Sequence, residues 1–227
     1  ARNTDKRICE VREDELAEAI LRSKRIVITG AEKSGKTSLA KVLYEDLRSL
    51  HLIPVWIAAD TIRSGECDKI KERLVSSFAK QYGGHLTERF LQEPKAKRVI
   101  IIDDFRRIQL DGPGHSELIK SLQALADTII IFSDELVQLE EVLTVRDGAS
   151  PLFAFGAYQI AELGHLKRER LLEKWLKLGN PYGIAEEELI HELSRIEHTL
   201  DGILRDNLLP AYPIFVLAIL QTLEAKT

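Results

Sequence analysis

Eight consecutive residues, Gly30-Ala31-Glu32-Lys33-Ser34-Gly35-Lys36-Thr37, set two glycines, a lysine and a hydroxyl at the spacing G-x-x-x-x-G-K-[ST]. Each residue type suits the capture of a polyphosphate. Glycines let the backbone curl until successive N–H groups converge on an anion, and a helix beginning at the end of the loop adds its positive dipole. Lys36 would reach the β- and γ-phosphates, and the Thr37 hydroxyl would bind Mg²⁺. Ser38, next along the same helix start, completes the phosphate-facing set.

A second constellation lies in "RVIIIDDF", where four apolar residues, Val99 to Ile102, deliver Asp103 and Asp104. Ligands of open α/β sheets bind beyond the carboxyl ends of the strands, where such acids would stand. Asp103 would hold Mg²⁺ through water, and Asp104 would orient or deprotonate an attacking water. Lys36 and Asp104 are therefore the catalytic candidates, with Thr37 and Asp103 as the metal pair. Ser133, ending "TIIIFS", is a third candidate. It either touches the γ-phosphate or its attacking water, or simply caps the following helix. Arg106 and Arg107, just after the acids, read as surface arginines, with a γ-phosphate or a neighbouring subunit as the alternative.

These side chains need particular elements to carry them. RIVIT is a continuous apolar run ended by Gly30, as in a parallel strand buried on both faces. Helical spacing of Leu39, Val42, Leu43, Leu47 and Leu50 predicts a helix over 37–50. Strands are predicted at 52–60, 97–105, 128–133 and 151–163, and helices at 13–23, 68–83, 116–127 and 135–143. The alternation predicts an α/β fold with a mostly parallel five-stranded sheet flanked by helices on both faces. After residue 164 the apolar period becomes helical, over 167–179, 185–204 and 213–225. We therefore expect an α/β core over 1–164 and a small helical lid over 165–227. PIFVLAIL, 213–220, is apolar almost all round, which predicts burial on several sides.

Composition narrows the setting. Net charge is −4 and pI about 5.9, against a dedicated nucleic-acid binder. No run reaches the ~18 apolar residues of a membrane span, and no signal peptide opens the chain. Cys9 and Cys67 are too few for a disulfide scaffold, so a cytoplasmic location is expected. The chain begins at Ala1 and contains no methionine, as expected of a segment of a longer protein. His191 and His198 share a helix face without a third ligand and read as a surface pair. Trp56 and Trp175 read as packing residues.

"GAEKSGKTSLAKVLYEDL", "VIIIDDFRRI", "YQIAELGHLKRERLLEKWLKLG" and "NLLPAYPIFVLAILQTLE" together resemble the STAND class of P-loop NTPases, which includes NACHT and NB-ARC proteins. "VREDEL", 11–16, partly matches that class's N-terminal motif, with Val11 where the class has glycine, a departure that bears on Arg12. The resemblance implies ATP or ADP bound with Mg²⁺, and Pro213, or else Pro210, against the base. It also implies slow hydrolysis, self-association through the NTPase module, and effector and sensor domains on the flanks, in prokaryotic signalling or antiviral defence. One alternative is a small-molecule or nucleotide kinase whose lid covers a second substrate. Another is an AAA+ or DNA-associated ATPase, which would need a lid arginine such as Arg168, Arg170 or Arg195.

Overall fold

A computed structural model describes residues 13–134, 155–180, 183–204 and 209–225. The helix expected at 135–143, the first residues of the strand expected at 151–163, and Val11 and Arg12 lie outside the described residues. By its internal contacts the chain divides into two compact units, Ala1–Thr29 with Lys36–Gln159, and Gly30–Gly35 with Ile160–Thr227.

The first unit is built on a parallel sheet. Its strands are β1 (Arg25–Thr29), β2 (Ile53–Ala58), β3 (Arg98–Asp103), β4 (Thr128–Ser133) and β5 (Gly156–Gln159), in the spatial order β2-β3-β4-β1-β5. Every neighbouring pair runs parallel. The helices are α1 (Glu13–Ser23), α2 (Lys36–Ser49), α3 (Cys67–Tyr82), α4 (Thr87–Gln92) and α5 (Gly112–Leu125).

Strand side chains alternate between faces, and here both faces are covered. Val27, Val55, Ile57, Ile100, Ile102, Ile129 and Ile131 join Ile70, Leu74 and Phe78 of α3 and Leu118, Ile119 and Leu122 of α5 in one core. The alternate residues Ile26, Ile28, Ile101 and Ile130 are equally buried, and α1 and α2 pack against these strands. Double coverage explains why β1, β3 and β4 read as unbroken β-branched runs.

Several expected boundaries move for physical reasons. α5 starts four residues before the expected 116, because Asp111 accepts a hydrogen bond from Gly114 N at 2.8 Å and Pro113 sits in the first turn. The fifth strand stops at Gln159 instead of 163. Among the described residues its one ladder partner is β1, which ends at Thr29, opposite Gln159. On α2 the buried apolar stripe is Ala40, Leu43 and Leu47, while Val42, and Leu50 just past the helix end, are exposed, so the helix buries a narrower face than the apolar spacing suggests.

The second unit contains α6 (His165–Gly179), α7 (Glu186–Leu204) and α8 (Pro213–Glu224). Leu172, Ile196, Leu200, Val216 and Leu220 form its core, with Trp175 packed alongside and donating Nε1–H to Glu224 at 2.6 Å. The expectation that 213–220 is buried on several sides is corrected. Only Val216 and Leu220 of α8 are buried, and Ile214 is 53% exposed, because α6 and α7 cover a single face of it. Arg168 is buried and bridges to Asp201 at 2.6 Å and to His165 Nδ1 at 2.8 Å. Among the described residues no helix is long and apolar enough to cross a membrane.

Phe90 of α4 is anchored in the core of the first unit. It is fully buried, stacks on Phe78 at 4.1 Å between centroids, and lies under the Arg98 guanidinium at 5.2 Å. Arg98 also donates to the carbonyls of Leu91, Glu93 and Leu125, tying the end of α4 to the start of β3. Phe90→Ala should therefore cost about 3–5 kcal/mol of unfolding free energy, read by urea denaturation. A loss below about 1 kcal/mol would show that this connection is not part of the core.

Candidate functional site

β1 is buried to its end, and its last residue, Thr29, donates its hydroxyl to the Tyr158 carbonyl at 3.2 Å. Gly30 follows, where a Cβ would stand 2.4 Å from Ser34 Oγ and 3.2 Å from Ser34 Cβ, so any larger residue requires Ser34 to move. Lys33 (φ 63°) and Gly35 (φ 102°) take left-handed conformations, and Ser34 N donates to the Ala31 carbonyl at 3.1 Å. These two reversals curl the loop. Ser34 is buried and its hydroxyl has no protein partner among the described residues. Ala31, Glu32 and Lys33 are exposed. Within the second unit, which includes this loop, Tyr212 hydrogen-bonds the backbone of Ala31, and Lys33 lies 6.0 Å from the Phe215 ring centre. Burial, then the nearby Glu162 carboxylate, raises the Tyr212 phenol above its ordinary range.

α2 begins at Lys36 and has no acid in its first turn, which leaves its positive end to an anion. Thr37 and Ser38 are exposed there. Thr37 Oγ1 donates to Asp103 Oδ2 at 2.7 Å, joining residues 66 positions apart in the chain. The second Asp103 oxygen accepts from Asp104 N at 3.0 Å. Asp104 is left-handed, φ 55° and ψ 46°, and Arg107 Nε lies 3.4 Å from its Oδ2. Such a backbone conformation is sparsely populated outside glycine and concentrates where a side chain must be aimed. Both acids, with Asp60, Trp56 and Arg107, line a cavity of about 140 Å³. Trp56, expected only to pack, is thus half-buried beside the acids.

Lys36 is paired with a residue the sequence did not single out. Its Nζ lies 3.0 Å from Asp134 Oδ1, and Arg106 Nη1 lies 3.0 Å from Asp134 Oδ2. Ser133, the residue expected there, is buried level with Thr29 in the β4–β1 ladder. The signal that would have found Asp134 is its place one residue past the end of β4, the strand that pairs with β1.

The structure therefore brings Lys36, Thr37, Asp103 and Asp104 together at the carboxyl ends of β1, β3 and β4 in the first unit. Pro213 belongs to the second unit, exposed in the first turn of α8. Of the three arginines weighed above for a lid role, Arg168 is bound to Asp201, Arg195 pairs with Glu192 at 2.7 Å, and Arg170 is exposed. His191 and His198 are exposed on α7, and no group of three metal-ligating side chains occurs among the described residues.

No protein-family model and no curated protein sequence matches the chain. Solved structures do resemble it. Drosophila ORC bound to DNA aligns with TM-score 0.56 and 16% identity, over 85% of this chain and 56% of that one. AMPPCP-bound DnaA from Aquifex aeolicus aligns with TM-score 0.46 and 16% identity, over 88% and 65%. Domain III of Thermotoga maritima DnaA aligns with TM-score 0.45 and 19% identity, over 83% and 78%. The chain thus spans only about half to two thirds of the ORC and Aquifex DnaA chains. Sheet order and the ORC likeness define the class: this chain has the α/β fold of P-loop NTPases.

The left-handed turn at Asp104 yields a direct test. Asparagine and glycine tolerate that conformation, whereas a β-branched residue does not. Asp104→Asn should change unfolding free energy by less than about 0.5 kcal/mol, and Asp104→Val should lower it by about 1–2 kcal/mol. Equal stabilities in chemical denaturation would mean that the turn relaxes freely.

Proposed function

We propose that this chain is the ATP-binding and slowly hydrolysing switch module of a larger STAND-type signalling or defence protein. The observation that carries the nucleotide reading is the Thr37–Asp103 hydrogen bond at 2.7 Å, beside the buried ammonium of Lys36. A hydroxyl and a carboxylate in contact, at the start of a helix free of acids, form the half-site that a hard cation shares with phosphate oxygens. The donors are all oxygen, and one carboxylate is enough for a Mg²⁺ ion that keeps waters and takes phosphates. Bound there, Mg²⁺ would neutralise charge on the β- and γ-phosphates.

In this reading Gly30 to Gly35 and Ser38 present backbone N–H groups to the phosphates, and Lys36 neutralises them. Asp104 aims its carboxylate at the attacking water, with Arg107 holding it in place. Ser133 is a reserve polar contact, and Pro213 is the candidate for the base. Tyr212 and Phe215, meeting Ala31 and Lys33, support a helical lid that carries the phosphate loop with it. Self-association, flanking effector and sensor domains and a cytoplasmic setting complete the proposal. Arg168 is committed to Asp201 and Arg195 to Glu192, so a DNA-associated ATPase using one of these three arginines would have to use the exposed Arg170.

Two substitutions test the chemistry. Lys36→Ala should weaken ATP binding at least about 100-fold, since it removes a charge-assisted contact to the phosphates. Asp104→Asn should keep ATP binding within a few-fold and lower turnover by about 10²-fold or more. Calorimetric titration and phosphate-release assays read both. Wild-type affinity in Lys36→Ala would remove the phosphate assignment, and wild-type turnover in Asp104→Asn would move water activation to another residue.

A further inference from the structure

A buried ammonium is costly unless an anion faces it. The Lys36 side chain is 8% exposed, and Asp134 meets it at 3.0 Å. The second oxygen of the same carboxylate meets Arg106, whose side chain is 70% exposed, also at 3.0 Å. One acid at the end of β4 thus holds two cations from different elements, the start of α2 and the turn after β3. On the nucleotide reading above, a phosphate oxygen needs the same ammonium at the same kind of distance. Carboxylate and phosphate therefore compete for Lys36.

We propose that Asp134 is an internal substitute for the phosphate: it occupies Lys36 in the nucleotide-free protein and must release it when a nucleoside triphosphate binds. Asp134 is then an affinity-setting residue of the site. Its own side chain is 22% exposed, and Arg106 stays within its reach, so the released carboxylate keeps a cationic partner and access to water. The exchange is a change of ion pair with no bond made or broken. An acid remaining near the site also repels the incoming ligand, and the repulsion grows with ligand charge. Asp134 therefore restrains triphosphate more than diphosphate. Nothing in the pattern of apolar runs encodes this role, which depends on the carboxylate standing one residue past the strand end.

The test uses the 227-residue chain, titrated with a non-hydrolysable ATP analogue and with ADP, each with Mg²⁺. D134N keeps the shape and removes the charge. It should bind the ATP analogue about tenfold more tightly than wild type, with a smaller gain for ADP. Unchanged or weaker binding of the analogue by folded D134N overturns the proposal. Should D134N fail to fold, R106Q decides, since Arg106 is largely exposed. Without its second cation Asp134 holds Lys36 harder, and analogue binding should weaken about threefold. Unchanged affinity in R106Q then overturns the proposal as well. A double-mutant cycle separates this from the underlying reading. In a K36A background D134N should give no gain. K36A binding the analogue like wild type refutes phosphate binding at this loop, whereas weak K36A with unaltered D134N refutes only the exchange.

Discussion

The position of every charged group in this site follows from the parallel register of three central strands. Ile28 stands level with Phe132 and Thr29 with Ser133, while Ile102 stands level with Ile131. The strands are buried on both faces, so a slip of one residue would exchange their two packed faces. Register is therefore held by the whole core. Because it is fixed, β1 releases its loop, β3 its acids and β4 its terminal carboxylate at one edge of the sheet. The Thr37–Asp103 hydrogen bond closes this arrangement from the helix side.

That constraint explains which parts of the site are legible in the sequence. The loop and the acid pair each announce themselves as an apolar run that stops at a polar residue, and the period of burial is local. Asp103 and Thr37 can thus be paired from the sequence alone. Asp134 cannot, because its importance depends on β4 lying beside β1, which is a matter of strand order. Short-range pattern also misses α4, whose six residues are too few to show a helical period and whose Phe90 is held from outside by Phe78 and Arg98. The early start of α5 is hidden for a different reason: Asp111-Gly112-Pro113-Gly114 reads as a turn, yet it is an aspartate cap with proline in the first turn.

The second unit shows the opposite limit. Its three helices are readable from their apolar spacing, but the degree of burial of α8 is not. Its composition is apolar on nearly every side, and the packing of α6 and α7 against one face leaves Ile214 open. Hydrophobic content fixes how much surface a helix is able to bury; the elements packed around it fix how much it does bury.

The charges of the site are also balanced within the protein itself. Lys36 and Arg106 share Asp134, Arg107 holds Asp104, and Asp103 accepts from Thr37 and from the backbone. Each charge that a nucleotide and its metal would meet therefore already has a protein group opposite it. A buried lysine with no anion facing it would cost the fold stability. Internal pairing removes that penalty, and on the proposed nucleotide reading its cost falls on binding, because a phosphate that takes Lys36 replaces an ion pair already made. On that reading the contribution of Lys36 to affinity is the difference between a phosphate and Asp134 as its partner.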